Sequence, residues 1–372
     1  MTYHKTAWED LSVEAAYSAF EADFPEYHAI VSLYGDIVCD AAEQFHRIEA
    51  GVARLLQTLP QGLGVAFKRY FVSDLVNQTQ YIDVNQGHTA VSVVQQPPLS
   101  GAKLAVWLYI VPSNSISRSA NATVINHSGM HHFIHTGLYT DAETSATQTA
   151  QIFRSYSDML AAEGCTLERN CMRTWVFVRD IDLHYAGMAK TRSEFFASQG
   201  LTKDTHFIAS TGIEGRQAAS PSVVSMDAYA VDGLLPQQIT YLHAASHLNP
   251  THEYGVTFER GTAIRYDDRT HVLISGTASI DNKGQIVHPH NVLKQAERMM
   301  ENIGALLAEA DATFSDVACL LIYLRDIADY QCINGYFNDK YSSLPKVILL
   351  APICRPGWLI EAECMATLQI TS

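Results

Sequence analysis

The feature that most constrains the fold of this chain is a unit that occurs three times within 372 residues. Each copy contains a helical segment, an apolar strand that ends on aspartate, a second helical segment and a final apolar strand. The strands that end on aspartate are FKRYFVSD (67–74), MRTWVFVRD (172–180) and CLLIYLRD (319–326). Because a repeated unit buries its apolar surface against its neighbours, the repeats indicate one architecture that is used three times.

The repeats divide the chain into domains at residues 1–112, 113–232 and 233–372. Residues 1–25 are acidic and are expected to form a lead-in that is helical at most. The polar segments 113–125 and 233–253 are expected to link the domains. We predict an α+β protein whose three tandem domains pack as a pseudo-trimer, because each unit alone would leave part of its sheet uncovered.

The charge balance restricts the class of partner. The chain carries 39 acidic and 25 basic residues, for a net charge of −14. Nucleic acid is therefore not expected as a partner, since phosphate binding needs clustered lysine and arginine. A small anion remains an expected partner, because a local arginine pocket can override the global charge.

The sequence also indicates where the protein works. Its amino terminus has no apolar run of the kind that a signal peptide needs, and no segment has the length of a membrane span. The seven cysteines show no CxxC spacing, and several lie in apolar patterns that are typical of reduced, packed thiols. We expect a soluble cytoplasmic protein without a membrane partner.

The final strand of the third repeat, WLIEAECMATL (358–368), carries two candidate catalytic carboxylates, Glu361 and Glu363. Residues two apart on a strand point to the same face. Burial of such a pair raises one pKa strongly, which makes a general acid available near neutral pH. The alternative for either glutamate is a buried salt bridge with a nearby arginine or lysine.

A comparison between the repeats favours one specialised site. The positions matching the two glutamates are predicted to be Ser225 and Asp227 in the second repeat, and Val106 and Leu108 in the first. A charge that each unit needed for its structure should recur in every unit. Since the pair of carboxylates does not recur, we expect the chemistry in a single cleft of the third repeat, closed off by the second.

Several stretches of the chain resemble a known family. The third repeat, through LISGTASID, CLLIYLRD and LIEAECMATL, resembles the Rid family of reactive intermediate deaminases (YjgF-like proteins), which are homotrimers with sites between subunits. An ordered set of stretches resembles the chorismatases, which carry Rid-like folds and hydrolyse chorismate. This set comprises MRTWVFVRDI, ASTGI (209–213), YGVTFERGTAI, VHPHNVLKQAERMMENI and CRPGWLIEAE.

The resemblance implies a set of functional residues. It places a functional carboxylate at Glu361, with Glu363 to tune or orient it. The implied substrate-binding residues are cations and hydrogen-bonding groups, namely Arg192, Arg216, Arg355, Lys346, Thr211, Gly212, Gly276 and Thr277. Lys346 stands where simpler Rid proteins have an arginine, and a lysine offers a point charge but no bidentate fork.

The expected function is chorismatase-like hydrolysis of chorismate or a related small anionic enol ether, with a glutamate as general acid. A Rid-type enamine or imine deaminase and a non-catalytic small-molecule binding protein are the alternatives. The histidine-rich stretches HHFIH (131–135) and HPH (288–290) match no metal-ligand signature, so no metal is expected. No cofactor motif is present. The expected state is a monomeric pseudo-trimer or a low-order homo-oligomer.

Overall fold

A computed structural model of the chain describes residues 1–219 and 221–370. It contains three six-stranded mixed sheets, and helices lie against them, so the fold is α+β as predicted. Counted along its own sequence, each sheet has its strands in the order first, second, third, sixth, fourth, fifth. The same topology is therefore built three times, which is the tandem arrangement that the repeats predicted.

The first sheet consists of β1 (Thr2–Trp8), β2 (Val13–Phe20), β3 (Glu26–Leu33), β4 (Leu63–Val72), β5 (Ala90–Gln95) and β6 (Leu104–Pro112). The second consists of β7 (Ile116–Arg118), β8 (Thr123–His127), β9 (Met130–Tyr139), β10 (Cys171–Val178), β11 (Ala209–Glu214) and β12 (Val224–Asp232). The third consists of β13 (Ile239–Leu242), β14 (Gly261–Arg265), β15 (Arg269–Ala278), β16 (Val317–Leu324), β17 (Lys346–Leu350) and β18 (Ile360–Gln369).

The α-helices are α1 (Ala41–Thr58), α2 (Leu75–Gln78), α3 (Ser145–Ala162), α4 (Leu167–Asn170), α5 (Ile181–Ser198), α6 (Val292–Glu309) and α7 (Tyr330–Lys340). Short 3₁₀ turns occupy Thr79–Tyr81, Ser113–Ser115, Pro236–Gln238, Thr251–Tyr254, Phe314–Asp316 and Ile327–Asp329.

Three of the four longest helices, α1, α3 and α6, begin where a polar side chain accepts a backbone hydrogen bond. Asp40 accepts from the backbone N–H of Glu43 at the start of α1, and Asn291 accepts from that of Lys294 at the start of α6. Such caps satisfy one of the free N–H groups at a helix start. One face of each helix then packs on its sheet, because the apolar residues recur at helical spacing.

The predicted lead-in and links are wrong in part, because strands run through them. Residues 1–25 form the hairpin β1–β2, and the segments 113–125 and 233–253 contain β7, part of β8, and β13. The edge strands β1, β7 and β13 are partly exposed to solvent. Their polar composition reflects that exposure and not an absence of strand structure.

Each sheet is joined to the next by a buried ion pair, and the three pairs link Arg69 with Asp227 (2.8 Å), Arg173 with Glu363, and Arg269 with Glu26 (3.1 Å). These contacts divide the centre of the molecule into three clefts. The 1–2 cleft lies between β5 and β12, the 2–3 cleft between β11 and β18, and the 1–3 cleft between β17 and β6. A functional site can therefore draw on two domains at once.

Candidate functional site

Glu361 lies at the base of a narrow pocket in the 2–3 cleft. Its side chain is 5% exposed, and on the sheet it stands opposite Ala278 of β15 and Tyr323 of β16. The facing wall comes from the second domain, where Thr211 and Gly212 of β11 line the same pocket. The pocket exists only because strands of two domains meet there.

Gly276 allows the Glu361 carboxyl to occupy this position. A Cβ atom at residue 276 would overlap Oε1 of Glu361. The carboxyl group therefore lies directly against the backbone of β15, in space that any other residue would fill. This contact fixes where the carboxyl group can point.

Three arginines surround the same pocket. Arg192 on α5 is buried and donates to Oγ of Ser210 at 3.4 Å, while Arg260 precedes β14 and donates to the backbone oxygen of Asn249 at 3.0 Å. Arg355 lies on the loop before β18, with its guanidinium 4.9 Å from the ring centroid of Trp358. Three guanidinium groups around one small space make the pocket suited to an anion.

Burial raises the pKa of the Glu361 carboxyl to about 8, and the negative charge of Glu363 adds to the increase. Arg260 and Arg173 act in the opposite direction but do not cancel the effect of desolvation. At neutral pH the carboxyl group is therefore protonated and can donate a proton to a bound molecule. A protonated acid beside several cations has the chemistry of a general acid for an anionic substrate.

Glu363 has a different environment. Its carboxylate accepts hydrogen bonds from Arg173 and Thr211, from Nε1 of Trp175 at 2.8 Å, and from the hydroxyl of Tyr323 at 3.1 Å. Four donors around one buried carboxylate satisfy its hydrogen-bonding capacity. The salt-bridge interpretation therefore applies to Glu363, which joins the second and third domains.

Cys354 adds a thiol to the same pocket. Burial, together with nearby Glu361, raises its pKa to about 12, while a hydrogen bond with Tyr185 opposes the increase. A thiol with this pKa stays protonated at neutral pH, so it lacks the thiolate that a cysteine nucleophile needs. Cys354 therefore lines the pocket without supplying a nucleophile.

The structure brings together a majority of the predicted site residues and separates the others. Glu361 shares its pocket with Arg192, Arg355, Thr211, Gly212 and Gly276. Three predicted substrate-binding residues, Arg216, Lys346 and Thr277, do not line it. Glu363 lies behind the pocket wall, in its ion pair with Arg173.

The grouping of Arg216 and Lys346 with Glu361 is wrong, because each of them faces another domain. Arg216 donates to Oε1 of Gln95 at 2.9 Å in the 1–2 cleft. Lys346 lies on β17 in the 1–3 cleft. Thr277 follows Gly276 on β15, so its side chain points to the opposite face of the sheet, where it donates to the backbone oxygen of Ser275 at 2.9 Å.

The match to the first repeat is shifted by one residue. Glu361 and Ser225 each stand opposite the third residue before the closing aspartate of the neighbouring strand, and Ala105 has that place in the first sheet. The equivalents of the two glutamates in the first domain are therefore Ala105 and Trp107, not Val106 and Leu108. A shift of one residue exchanges the two faces of a strand.

Sequence reasoning missed Arg173 and Arg260 as functional neighbours. Arg173 lies inside the apolar strand β10, and a charge in such a strand is a signal that a buried partner exists. Arg260 lies within the stretch YGVTFERGTAI, but nothing in its spacing shows that it approaches Glu361.

Within residues 1–219 and 221–370, no group of three histidine, cysteine or acidic side chains is placed to hold a metal ion. In the same part of the chain, no helix is both long enough and apolar enough to cross a membrane.

Residues 261–368 match the family model described as Endoribonuclease L-PSP. The chain is 31% identical over 97 residues to the 3-aminoacrylate deaminase RutC of Acinetobacter baylyi, a match that covers 26% of this chain and 77% of that protein. It is 34% identical over 102 residues to the 2-iminobutanoate/2-iminopropanoate deaminase of Capra hircus, a match that covers 27% of this chain and 73% of that protein. Against a RutC family protein of Saccharolobus solfataricus, 32% identical over 82 residues, the chain spans 65% of the relative's length.

A crystal structure of a chorismatase has the same fold over most of the chain. It superposes with a TM-score of 0.65 and 17% identity, over 81% of this chain and 92% of that one. The three-sheet arrangement and the interdomain pocket thus define a protein of the Rid-like fold class with fused domains. With the family match and the RutC and deaminase relatives, the chain belongs to the Rid superfamily.

Proposed function

We propose that this protein hydrolyses a small anionic enol ether, with chorismate as the first candidate and Glu361 as the general acid. The observation that carries the proposal is the buried Glu361 carboxyl, with a pKa of about 8, in a pocket with three arginines. The fold shared with a chorismatase supports the choice of substrate class.

The reaction begins with proton transfer from Glu361 to the methylene carbon of the enol ether. The carbon that bears the ether oxygen becomes an oxocarbenium centre, and the Glu361 carboxyl becomes a carboxylate. Water adds to this centre and returns a proton to Glu361. The hydroxyl group of the resulting hemiketal then loses its proton and becomes the carbonyl of pyruvate as the bond to the ring oxygen breaks. The ring oxygen takes up a proton and leaves as the alcohol.

The arginines have two roles in this proposal. Arg192, Arg260 and Arg355 bind the carboxylates of the substrate through charge-assisted hydrogen bonds. Their positive field also stabilises the Glu361 carboxylate that forms when the proton is transferred. These effects lower the barrier because they are stronger after proton transfer than before it.

Substrate entry requires a local movement. The pocket has about 40 Å³ of free volume, which holds only a few water molecules. The loop 351–359 carries Arg355 and Trp358 over the pocket, so we expect it to move outward when a six-membered ring binds and to close over it afterwards.

The decisive test is pyruvate release from chorismate by the purified full-length protein and by Glu361→Gln. General acid catalysis contributes about 10²–10⁴-fold, so the variant should lose that factor in kcat. Glu297→Gln removes an exposed carboxylate on α6 and is the matched control, with unchanged release expected. Absence of pyruvate from the native protein, or full activity of Glu361→Gln, contradicts the proposal.

A second variant tests substrate binding. Arg355→Met keeps a long side chain but removes one cation from the pocket, so KM for chorismate should rise about tenfold or more. Arg118→Met, which alters an exposed arginine of β7, is the control and should leave KM unchanged. An unchanged KM for Arg355→Met would exclude Arg355 as a carboxylate ligand.

The second candidate is deamination of an enamine or imine, and the relatives named as deaminases favour it. The chemistry is related, because the same acid protonates an electron-rich double bond before water adds. Freshly generated 2-aminoacrylate distinguishes the two, since its hydrolysis releases ammonia together with pyruvate and chorismate releases none. Ammonia release above the uncatalysed rate, without turnover of chorismate, would assign the protein to this class.

A further inference from the structure

The 1–3 cleft is the structural equivalent of the pocket that holds Glu361. Lys346 on β17 stands opposite Leu320, and Ser210 on β11 stands opposite Thr174. Leu320 and Thr174 each lie six residues before the closing aspartate of their strands, so Lys346 occupies the place of Ser210. On the other wall, Ala105 occupies the place of Glu361.

These two replacements change the chemistry at two matching positions of the clefts. The 2–3 cleft has a carboxylic acid at one wall and a hydroxyl at the other, whereas the 1–3 cleft has a methyl group and an ammonium group. Without an acid at position 105, the 1–3 cleft has no group equivalent to Glu361 that could protonate a ligand. It retains the position between two domains, and Lys346 provides a cation there.

The 1–3 cleft is also much larger. Its free volume is about 350 Å³, compared with about 40 Å³ in the Glu361 pocket. Volumes of about 300–1,000 Å³ are typical of small-molecule sites. Its walls carry hydroxyl and amide side chains from two domains, namely Ser32, Ser100, Asn334, Asn338 and Ser342.

Lys346 is the charged group best placed to meet a ligand. Within the described part of the chain, its Nζ donates one hydrogen bond, to the backbone oxygen of Tyr341 at 3.0 Å. An ammonium group has three donors, so two are left for the oxygens of a carboxylate. Lys5 lines the cleft as well and is paired with Glu14 at 2.9 Å, so the three charged groups leave one net positive charge.

Electrostatics agree with this geometry. Burial, together with the positive charge of Lys5, lowers the pKa of Lys346 to about 8, although Glu14 acts in the opposite direction. A bound anion would offset both the desolvation and the repulsion, so its binding is coupled to protonation of the lysine.

We propose that the 1–3 cleft is a second, non-catalytic binding site for a small polyhydroxylated monocarboxylate of the sugar-acid class, held by Lys346 through its carboxylate. The hydroxyl groups of the ligand bind the serine and asparagine side chains of the walls. The site depends only on the 1–3 cleft and is separate from the reaction assigned to Glu361.

The test uses gluconate and the full-length protein, with binding measured by ligand-observed NMR titration. Gluconate should bind saturably, and sorbitol, which has the same hydroxyl chain without the charge, should bind at least tenfold more weakly. Lys346→Met should weaken gluconate binding about tenfold or more, because it removes a charge-assisted hydrogen bond. Lys340→Met, at an exposed lysine near the end of α7, is the matched control and should bind as the native protein does.

Two further variants locate the ligand. Asn334→Trp fills the 1–3 cleft while it keeps Lys346, and it should also abolish saturable binding; thermal unfolding checks that both cleft variants are folded. Arg355→Met alters the other pocket and should leave gluconate affinity unchanged. Four results would each overturn the proposal. They are native-like affinity in Lys346→Met, equal affinity for sorbitol, loss of binding in Arg355→Met, and no saturable binding to the native protein.

Discussion

The 2–3 and 1–3 clefts have the same backbone framework and differ in the side chains that face the gap. In the 2–3 cleft, Glu361 lies against Gly276, and the Arg173–Glu363 pair fills the space behind it. In the 1–3 cleft, Ala105 and Trp107 stand at the two glutamate positions, and the space stays open. The comparison shows that one repeated fold provides a small pocket with a carboxylic acid among three arginines, and a larger one with a lysine and no acid at the Glu361 position, through a few substitutions.

The largest effect is expected from the ion pair of the 2–3 cleft, where the 1–3 cleft has Trp107 at the position of Glu363. Arg173→Met leaves the buried Glu363 without its cation, and breaking such a pair costs about 3–5 kcal/mol. Arg69→Met, which breaks the buried ion pair with Asp227 in the 1–2 cleft, should cost a similar amount. Urea unfolding measures both.

Arg118→Met, at an exposed position, is the reference for these two variants. A loss of less than about 1 kcal/mol in Arg173→Met would show that the hydrogen bonds from Trp175 and Tyr323 suffice for Glu363.

The next effect concerns the close approach of Glu361 to β15. Gly276→Ala places a methyl group where the carboxyl group lies, so the acid moves away from its position. Displacement of a reacting group by about 1 Å can cost about 10²-fold in rate, and we expect a loss of that size in kcat. Gly335→Ala in α7, where a Cβ meets no atom within 4 Å, is the matched control and should keep full activity.

The pH dependence of turnover tests the protonation state of Glu361. Its pKa of about 8 means that the acid form persists through neutral pH and is lost above that value. The rate should therefore fall by about tenfold for each pH unit above 8. A stopped assay across pH 6–10 measures this, and a rate that rises with pH over the range would assign Glu361 to a basic role.

The smallest effect is on stability. Because burial raises the pKa of Glu361 in the folded state above its ordinary value of 4.5, the folded protein binds the proton more tightly than the unfolded chain does. The tighter proton binding stabilises the folded state. This stabilisation is fully present below pH 4.5 and is lost as the pH rises to 8.

Glu361→Gln removes this dependence. Its stability relative to the native protein should rise by at least about 1 kcal/mol between pH 5 and pH 9, the equivalent of one pKa unit. Parallel urea titrations at the two pH values measure the difference. If the two proteins differed in free energy of unfolding by the same amount at pH 5 and pH 9, the carboxyl group of Glu361 would titrate near its ordinary pKa.

The sequence pattern predicted the general architecture correctly because that information is local. Three strands that end on aspartate, each near a helical apolar pattern, were sufficient to predict three repeats of one α+β unit. The edge strands were missed, since a strand with one face in solvent has the composition of a polar link. Residues 1–25 and 233–253 show this limit.

The candidate site also has one part that the sequence predicted and one part that it did not. The position of two glutamates on one strand face follows from the period of a strand, and so the sequence placed Glu361 and Glu363 together. Their separate roles depend on residues far away in the chain, because Arg173 and Trp175 reach Glu363 from another domain.

The sequence by itself therefore determined the repeated unit and the strand face that carries Glu361. The tertiary structure alone decided which cations share a cleft with that acid. Arg216 and Lys346 face other clefts because each edge strand packs against a different neighbouring domain, and no local pattern specifies the neighbour. The pKa of Glu361 was decided in the same way, since it depends on burial by two domains and on charges from distant segments.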